Sequence, residues 1–376
     1  MRLGFEAMFN LDRKTGIAKY SLKILEELKK SKEFEIVEYV GERAKFDFSK
    51  VKNNFARRAL YFFWLNFLFP IILKKDRIDV LFSPNFIAPV IMPCKSIVVV
   101  HDASPFAMEE CFDRSTITFS RMIKYSAKKA DAIITPSEFS KKDVIKNLKL
   151  PAEKIFPIHH GIEQGKCANV SEKDILLFRK KFGLKEKTAV FVGAIEKRKN
   201  IKNILKAAEI LRKKGKNFTI LLIGKEGFGF EEIKKLHETL GLEGCVTFAG
   251  YLEDKEVLAA YKASDVLLYP SLYEGFGLPI LEAMSCGTPV ITSNCTSMPE
   301  VGGDAAMYVN PKSPEEIARA VEKIFESEKL KKELSAKGIE RAKFFTWEKS
   351  VEKTIQVIIK TANKRRLDVS KIKKIQ

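Results

Sequence analysis

Short apolar runs alternate with amphipathic stretches along most of the chain, and this alternation restricts the fold more than any other feature. After a strand-like start, MRLGFEAMF, the first half carries the runs Asp79–Ser83, Ser96–Val100 and Ala132–Thr135. The second half carries Thr188–Val192, Phe218–Ile223, Val246–Phe248, Asp265–Tyr269 and Pro289–Thr292. Between them lie stretches with a 3.6-residue apolar period, such as Ile17–Lys30 and Ile201–Lys214. Alternation of this kind predicts parallel sheets covered by helices. A chain of 376 residues is too long for one core. The two series therefore predict an α/β protein with two doubly wound, Rossmann-like domains, residues 1–165 and 166–346, and the polar segment Glu163–Lys173 as linker.

Residues 269–289, YPSLYEGFGLPILEAMSCGTP, read strand, glycine turn, helix. The apolar Val266–Tyr269 precedes the turn, and Pro279 stands where a helix would start, a place proline favours. Gly275 and Gly277 permit backbone angles that other residues avoid, so the N–H groups of the turn and helix start face outward as an anion site. Glu274 and Glu282 bracket the turn with seven residues between them. A phosphate on the amides, with a carboxylate at either end to accept hydrogen bonds from hydroxyls, suits a sugar nucleotide. Taken alone, the segment also fits an ordinary α/β turn with a glutamate complementing the helix dipole.

A second loop, Gly193–Asn200, follows the run Thr188–Val192 and carries Arg198 and Lys199 at the start of a helix. Ligands of open α/β sheets bind at the carboxyl ends of strands, and two cations there suit a diphosphate. A solvated charge cluster is the alternative. His101 and Asp102 follow the apolar Ile97–Val100; the histidine is either structural or faces the cleft between domains. Gly16 opens the first helix within Thr15–Tyr20. A single glycine with no acidic residue for a dinucleotide ribose excludes a nicotinamide or flavin dehydrogenase.

The net charge of +19 favours anionic partners: nucleic acid, an acidic membrane surface or phosphorylated substrates. No zinc-finger, ribonucleoprotein or helix-turn-helix signature supports nucleic acid. The six cysteines are scattered without a CxxC pair and only four histidines are present, which argues against a zinc site. Most of the cysteines are expected as reduced core residues, and no signal peptide is visible, so a cytoplasmic protein is expected. Residues 57–75 hold the apolar, aromatic run ALYFFWLNFLFPIIL between Arg57, Arg58 and Lys74, Lys75. It is too short to span a bilayer. It reads either as a helix packed on the N-terminal sheet or as an interfacial helix with basic ends on headgroups. The tail KTANKRRLDVSKIKKIQ, with seven Lys/Arg against one Asp, would add attraction to an acidic surface.

These residues together resemble a known family. EGFGLPILE, with Glu274 and Glu282, is similar to the E-x7-E signature of retaining glycosyltransferases of the GT-B fold, family 4. TGIAKY (15–20), VHDASPF (100–106), ADAIITPSEFSKKDV (130–144), EKIFPIHHGIE (153–163), VGAIEKRKN (192–200) and MPEVGGDAAMYVNP (298–311) resemble other family segments in the same order, over nearly the whole chain. The resemblance implies an acceptor site in the first domain and a nucleotide-sugar donor site in the second, with residues 347–376 crossing back to the first. Glu282 would bind the ribose and Glu274 the donor sugar. Arg198 and Lys199 would hold the diphosphate with the amides of Gly275, Phe276 and Gly277, and Leu278 would join them in binding the donor. Gly16 would line the donor from the N-terminal loop, His101 would approach the sugar, and Tyr251 and Leu252 would hold the base. Family members of this type need no metal. The loop departs from the common GGIGRY, with Ala18 and Lys19 in place of glycine and arginine, and Ala194 stands where many relatives carry another arginine.

The implied reaction is retaining transfer of a sugar, with mannose from GDP-mannose as the leading candidate, to a glycan or lipid-linked acceptor in polysaccharide or lipopolysaccharide assembly. Cations and turn amides would stabilise the leaving diphosphate. A GT-B epimerase or phosphorylase, and a basic nucleic-acid-binding protein, are the alternatives. The resemblance places the protein in the cytoplasm or on the inner face of the cell membrane.

Overall fold

Strands buried on both faces are written as continuous apolar runs, because neither side needs polar residues. The computed structural model describes residues 1–6, 16–39 and 60–372, with side chains described only up to residue 363. Its clearest case is Phe218–Ile223 (β8), buried at all six positions. The strands form two six-stranded sheets in which all pairings are parallel. The first has Arg2–Glu6 (β1), Glu35–Tyr39 (β2), Val80–Ser83 (β3), Lys95–Val99 (β4), Ala132–Thr135 (β5) and Ile155–Pro157 (β6) in the order β2-β1-β3-β4-β5-β6. The second has Lys187–Val192 (β7), β8, Val246–Gly250 (β9), Val266–Tyr269 (β10), Val290–Ser293 (β11) and Met307–Val309 (β12) in the order β12-β11-β10-β7-β8-β9.

The order matters for function. In the second sheet β7 lies between β8 and β10, so the chain winds one way from β7 and then returns to its other side. In open α/β sheets ligands bind beside such a switch point, which here is flanked by the loops after β7 and β10.

The chain divides into two units. One holds the described residues up to Phe106, Ser115–Gly161 and the helix Trp347–Ile372; the other holds Ala107–Arg114 and Ile162–Thr346. The division falls at Ile162 rather than 166, and a short segment from the first half belongs to the second unit. The expected helices are present as Gly16–Lys30 and Ile201–Lys213. Period-two packing builds two cores on the first sheet. Ile97 and Val99 join a cluster with Ile24, Leu28 and Trp347, while Val98 and Val100 join one with Trp64, Leu65 and Ile123. The second unit has a single large core that includes β7, β8, β10 and the helix Leu278–Ser285.

Residues 60–75 are helical, with a π turn at Trp64–Leu68 just before Pro70, which has no N–H to give to a regular helix. Both readings of this segment find a face. Tyr61, Trp64, Leu65, Phe69 and Leu73 are buried in the first unit, but Phe62, Phe63, Phe67, Leu68 and Ile71 are exposed. Arg57 and Arg58, Thr15, and the end of the basic tail lie outside the described residues. Among the described residues no helix is long and apolar enough to cross a membrane.

Cys167 and Cys286 are joined by a disulfide, with Cα atoms 5.2 Å apart. Cys94, Cys111 and Cys245 are buried thiols and Cys295 is a half-buried one. Four of the six cysteines are free thiols, in keeping with the expectation that most are reduced, and this pair is the exception. The partners are 119 residues apart in sequence and meet only because the turn Lys166–Asn169 packs beside the end of the helix Leu278–Ser285. Thiol titration of the unfolded, unreduced chain should count four thiols; a count of six would show that the bond does not form.

Candidate active site

The switch point of the second sheet gathers the loops named from the sequence. β10 ends at Tyr269, and the chain passes through Glu274, Gly275, Phe276 and Gly277, all but fully buried, into the helix Leu278–Ser285. The helix begins at Leu278, so Pro279 is its second residue. Gly277 caps the helix at φ +104°, and a side chain there would also press on Ile280. Ser297 Oγ donates to the carbonyl of Glu274 or Phe276, each at 2.9 Å, and holds the turn closed.

After β7, Lys197–Lys199 makes one 3-10 turn, and Asn200 turns the chain into the helix Ile201–Lys213 in a left-handed conformation. Asn200 is buried, and its side-chain amide donates to the carbonyls of Pro270 (2.9 Å) and Pro311 (2.7 Å). Leu272 N–H donates to the carbonyl of Arg198 at 3.0 Å. These bonds tie the loop after β7 to the loop after β10. Asparagine tolerates positive φ better than most residues, so one side chain meets both demands.

The tie brings Arg198 and Lys199 onto Glu274. Lys199 Nζ donates to Glu274 Oε1 at 2.6 Å and to the Tyr269 hydroxyl at 2.8 Å. Arg198 Nη1 donates to Glu274 Oε2 at 3.2 Å and to the Tyr273 carbonyl at 2.9 Å, and Nη2 donates to Glu196 Oε1 at 2.8 Å. Burial pushes the Glu274 carboxyl up, but the charges of Lys199 and Arg198 override it and hold the group at about 2. Burial pulls Lys199 down, with Glu274 opposing that pull. The Glu274 carboxyl is thus ionised at neutral pH. Each carboxylate oxygen retains acceptor capacity for a hydroxyl, and the ammonium has a third N–H.

Glu274 also makes a pH prediction. Its folded pKa of about 2 lies below the ordinary value of 4.5, so its stabilisation is present above 4.5 and lost as pH falls through 2. The size is about 3 kcal/mol by linkage. Acid unfolding of Glu274→Gln should lack this part of the acid limb, read as a shallower loss of denaturation midpoint between those two pH values.

Glu282 sits in the same helix, half-buried, and accepts from the buried Tyr261 hydroxyl at 3.1 Å. Tyr251 follows β9 and is 38% exposed, with Lys225 Nζ 4.9 Å above its ring, whereas Leu252 beside it is buried in the core. Arg198 and Lys199, Tyr251, and Glu274 follow the carboxyl ends of β7, β9 and β10, and Glu282 lies in the helix after β10. Asn200, Tyr269, Tyr261 and Ser297 were not singled out in the sequence. The RKN triplet carried a signal for Asn200; the other three have none, because each acts through a partner more than twenty residues away.

His101 belongs to the first unit and is buried among Tyr20, Phe86 and His160, with ring centroids 5.0, 5.2 and 5.4 Å away. Its Nε2 is 2.8 Å from the Pro84 carbonyl, which can only accept, so Nε2 carries the proton. Burial lowers the ring to about 4, with weak opposition from Pro84 and Asp102, so it is neutral and offers Nδ1 as an acceptor. Gly16 is exposed at the first turn of its helix. Among the described residues, no group of three or more His, Cys, Asp or Glu side chains could hold a metal ion.

Two parallel six-stranded α/β units, one with a buried carboxylate–cation cluster at its switch point, define a two-domain α/β protein of the GT-B class. The chain belongs to glycosyltransferase family 4 and is a glycosyltransferase: the profile Glycosyltransferase Family 4 matches residues 15–165 and the profile Glycosyl transferases group 1 matches residues 172–341. The chain is 29% identical to the O-antigen chain mannosyltransferase B of Escherichia coli, over 91% of this chain and 95% of that protein. It is 30% identical to an uncharacterized glycosyltransferase of Methanocaldococcus jannaschii, over 72% of this chain and 69% of that one. The crystal structure of WaaG, a glycosyltransferase involved in lipopolysaccharide biosynthesis, shares the fold at a TM-score of 0.72 and 19% identity, over 95% of this chain and 99% of that chain.

Proposed function

We propose that the protein is a retaining mannosyltransferase that moves mannose from GDP-mannose to a glycan or lipid-linked acceptor in the assembly of a surface polysaccharide. The observation that carries this reading is the buried Lys199–Glu274–Arg198 cluster at the carboxyl ends of β7 and β10. Similarity to an O-antigen mannosyltransferase over most of both chains supports the choice of sugar and of pathway class.

In this reading Glu274 accepts hydrogen bonds from the mannose hydroxyls, and Glu282, held by Tyr261, accepts from the ribose. Lys199, Arg198 and the amides of Gly275, Phe276 and Gly277 take up the charge that grows on the diphosphate as the glycosidic bond breaks. His101 accepts from a sugar hydroxyl through Nδ1, Gly16 lines the donor, and Tyr251 and Leu252 hold the base. The protein's own cations do this work without a metal, and the enzyme acts in the cytoplasm, in peripheral contact with the membrane that carries its acceptor.

Thermal-shift screening against GDP-mannose, UDP-glucose, GDP and UDP tests the donor, because a ligand that binds only the folded state raises the melting temperature. GDP-mannose should give the largest rise. Nuclear magnetic resonance of the transfer product should show the α-anomer of the donor retained; a β-linked product sinks the retaining assignment.

A further inference from the structure

We propose that a composite apolar surface on the first unit, with a rim of cations, seats this protein on an anionic lipid bilayer. The proposal rests on the membrane contact proposed above and gives that contact a surface; it does not depend on the donor or the sugar.

The surface has three parts. One is the outward face of residues 60–75, where Phe63 (54% exposed) stacks on Phe67 (52%) at 5.1 Å and Ile71 (66%) continues the stripe one turn on. The second is Val90–Ile91, with Ile91 62% exposed, and the third is Tyr125 (65%) on the helix Arg114–Lys129. Between them runs an apolar groove of about 300 Å³ lined by Phe62, Phe67, Ile91, Met122 and Tyr125. Exposed aromatic and aliphatic side chains gathered this closely mark an interaction surface. The platform is fixed: Asn66 is buried between its parts, donating to the Phe62 carbonyl and accepting from Val90 N–H, both at 2.9 Å.

The rim selects the occupant. Lys74 and Lys75 end the helical stretch 60–75, and Arg121, Lys124, Lys128 and Lys129 share the helix that presents Tyr125. No acidic residue occurs in 60–75, 86–94 or 115–129. A second copy of the same face would bring two cation rims together, and such repulsion opposes self-pairing. An anionic bilayer offers hydrocarbon to the centre and phosphate to the rim, which matches both parts. Of the cations expected from the sequence, Arg57, Arg58, Lys74, Lys75 and the tail, this surface keeps Lys74 and Lys75 and adds those of the helix beside the groove.

Co-sedimentation of the full chain with vesicles of phosphatidylcholine and phosphatidylglycerol, 3:1, against phosphatidylcholine alone, tests the proposal. The protein should bind the anionic vesicles, bind the neutral ones less, and lose most anionic binding at high salt. Phe67→Glu and Ile71→Glu, at exposed positions, should each lower the partition coefficient at least about tenfold, the loss of one buried apolar side chain. Arg121→Glu should lower it about fivefold or more on anionic vesicles only. Replacing Lys371, Lys373 and Lys374 by alanine should leave most binding intact. All variants should keep the melting shift given by the donor, which separates this test from the transferase reading. No binding by the unaltered protein, equal binding by the glutamate variants, or loss with the tail variant overturns the proposal. So does a concentration-dependent dimer that Phe67→Glu abolishes without any vesicle binding.

Discussion

Replacing Lys199 by alanine lowers kcat/KM for sugar transfer by about 10²–10³-fold, the loss expected when one preorganised charge is removed from a developing anion. The ammonium is buried and fixed by Glu274 at 2.6 Å and Tyr269 at 2.8 Å, so no water replaces it cheaply. Its removal also takes one of the two cations from Glu274, and a buried carboxylate that loses a partner destabilises by roughly 3 kcal/mol. Stability and chemistry must therefore be separated. The measurement is kcat and KM for the donor at a temperature where denaturation curves show the variant fully folded. A fall in kcat assigns Lys199 to the leaving group. Full turnover with unchanged donor affinity would remove Lys199 from the phosphate site. Lys199→Arg should recover part of the loss, because it restores charge but not the compact geometry.

The largest stability effect is expected at Gly224, with a cost above about 3 kcal/mol for alanine, since a strained backbone and a backbone clash are among the few causes of large losses. Gly224 has φ +152°, and a Cβ there would lie 1.8 Å from the Gly193 carbonyl oxygen. Neither strand end can move aside without loss. Gly193 N–H donates to the Ile223 carbonyl at 2.9 Å, and Gly224 N–H to the Gly250 carbonyl at 2.8 Å. Any shift displaces the loop that carries Arg198 and Lys199, so donor affinity should fall with stability. Gly215→Ala is the control: it has φ +72° but open space around it, and should cost only about 1 kcal/mol. Chemical denaturation of both variants checks the contrast. Equal midpoints would mean that the strand ends relax.

The strands that the sequence analysis missed are β2, β6 and β12, and each is the edge of a sheet. Their burial is partial: β6 and β12 have one fully buried residue each and β2 has two. An edge strand is covered on fewer sides, so it lacks the continuous apolar run that identified β8 and β10. The helices Gly16–Lys30 and Ile201–Lys213 were legible almost to the residue, because an amphipathic period repeats over several turns. The helical residues 60–75 were legible as apolar but not in orientation. The sequence has apolar residues on both faces, and only packing chose which face to bury.

By itself, the amino-acid order determined the α/β class, the two series of strands, and the glycine turns and charged loops that end them. Each of those signals lies within one short stretch, where backbone preference and side-chain period act on neighbouring residues. The tertiary structure alone decided that Arg198 and Lys199 close on Glu274, that Tyr261 holds Glu282, that Cys167 meets Cys286, and that Gly224 admits no side chain. Those contacts follow from the strand order β10-β7-β8, which sets loops distant in the chain side by side. No local preference encodes that order. It is chosen by how two faces of a sheet can be buried at once, and the site exists where that choice reverses direction.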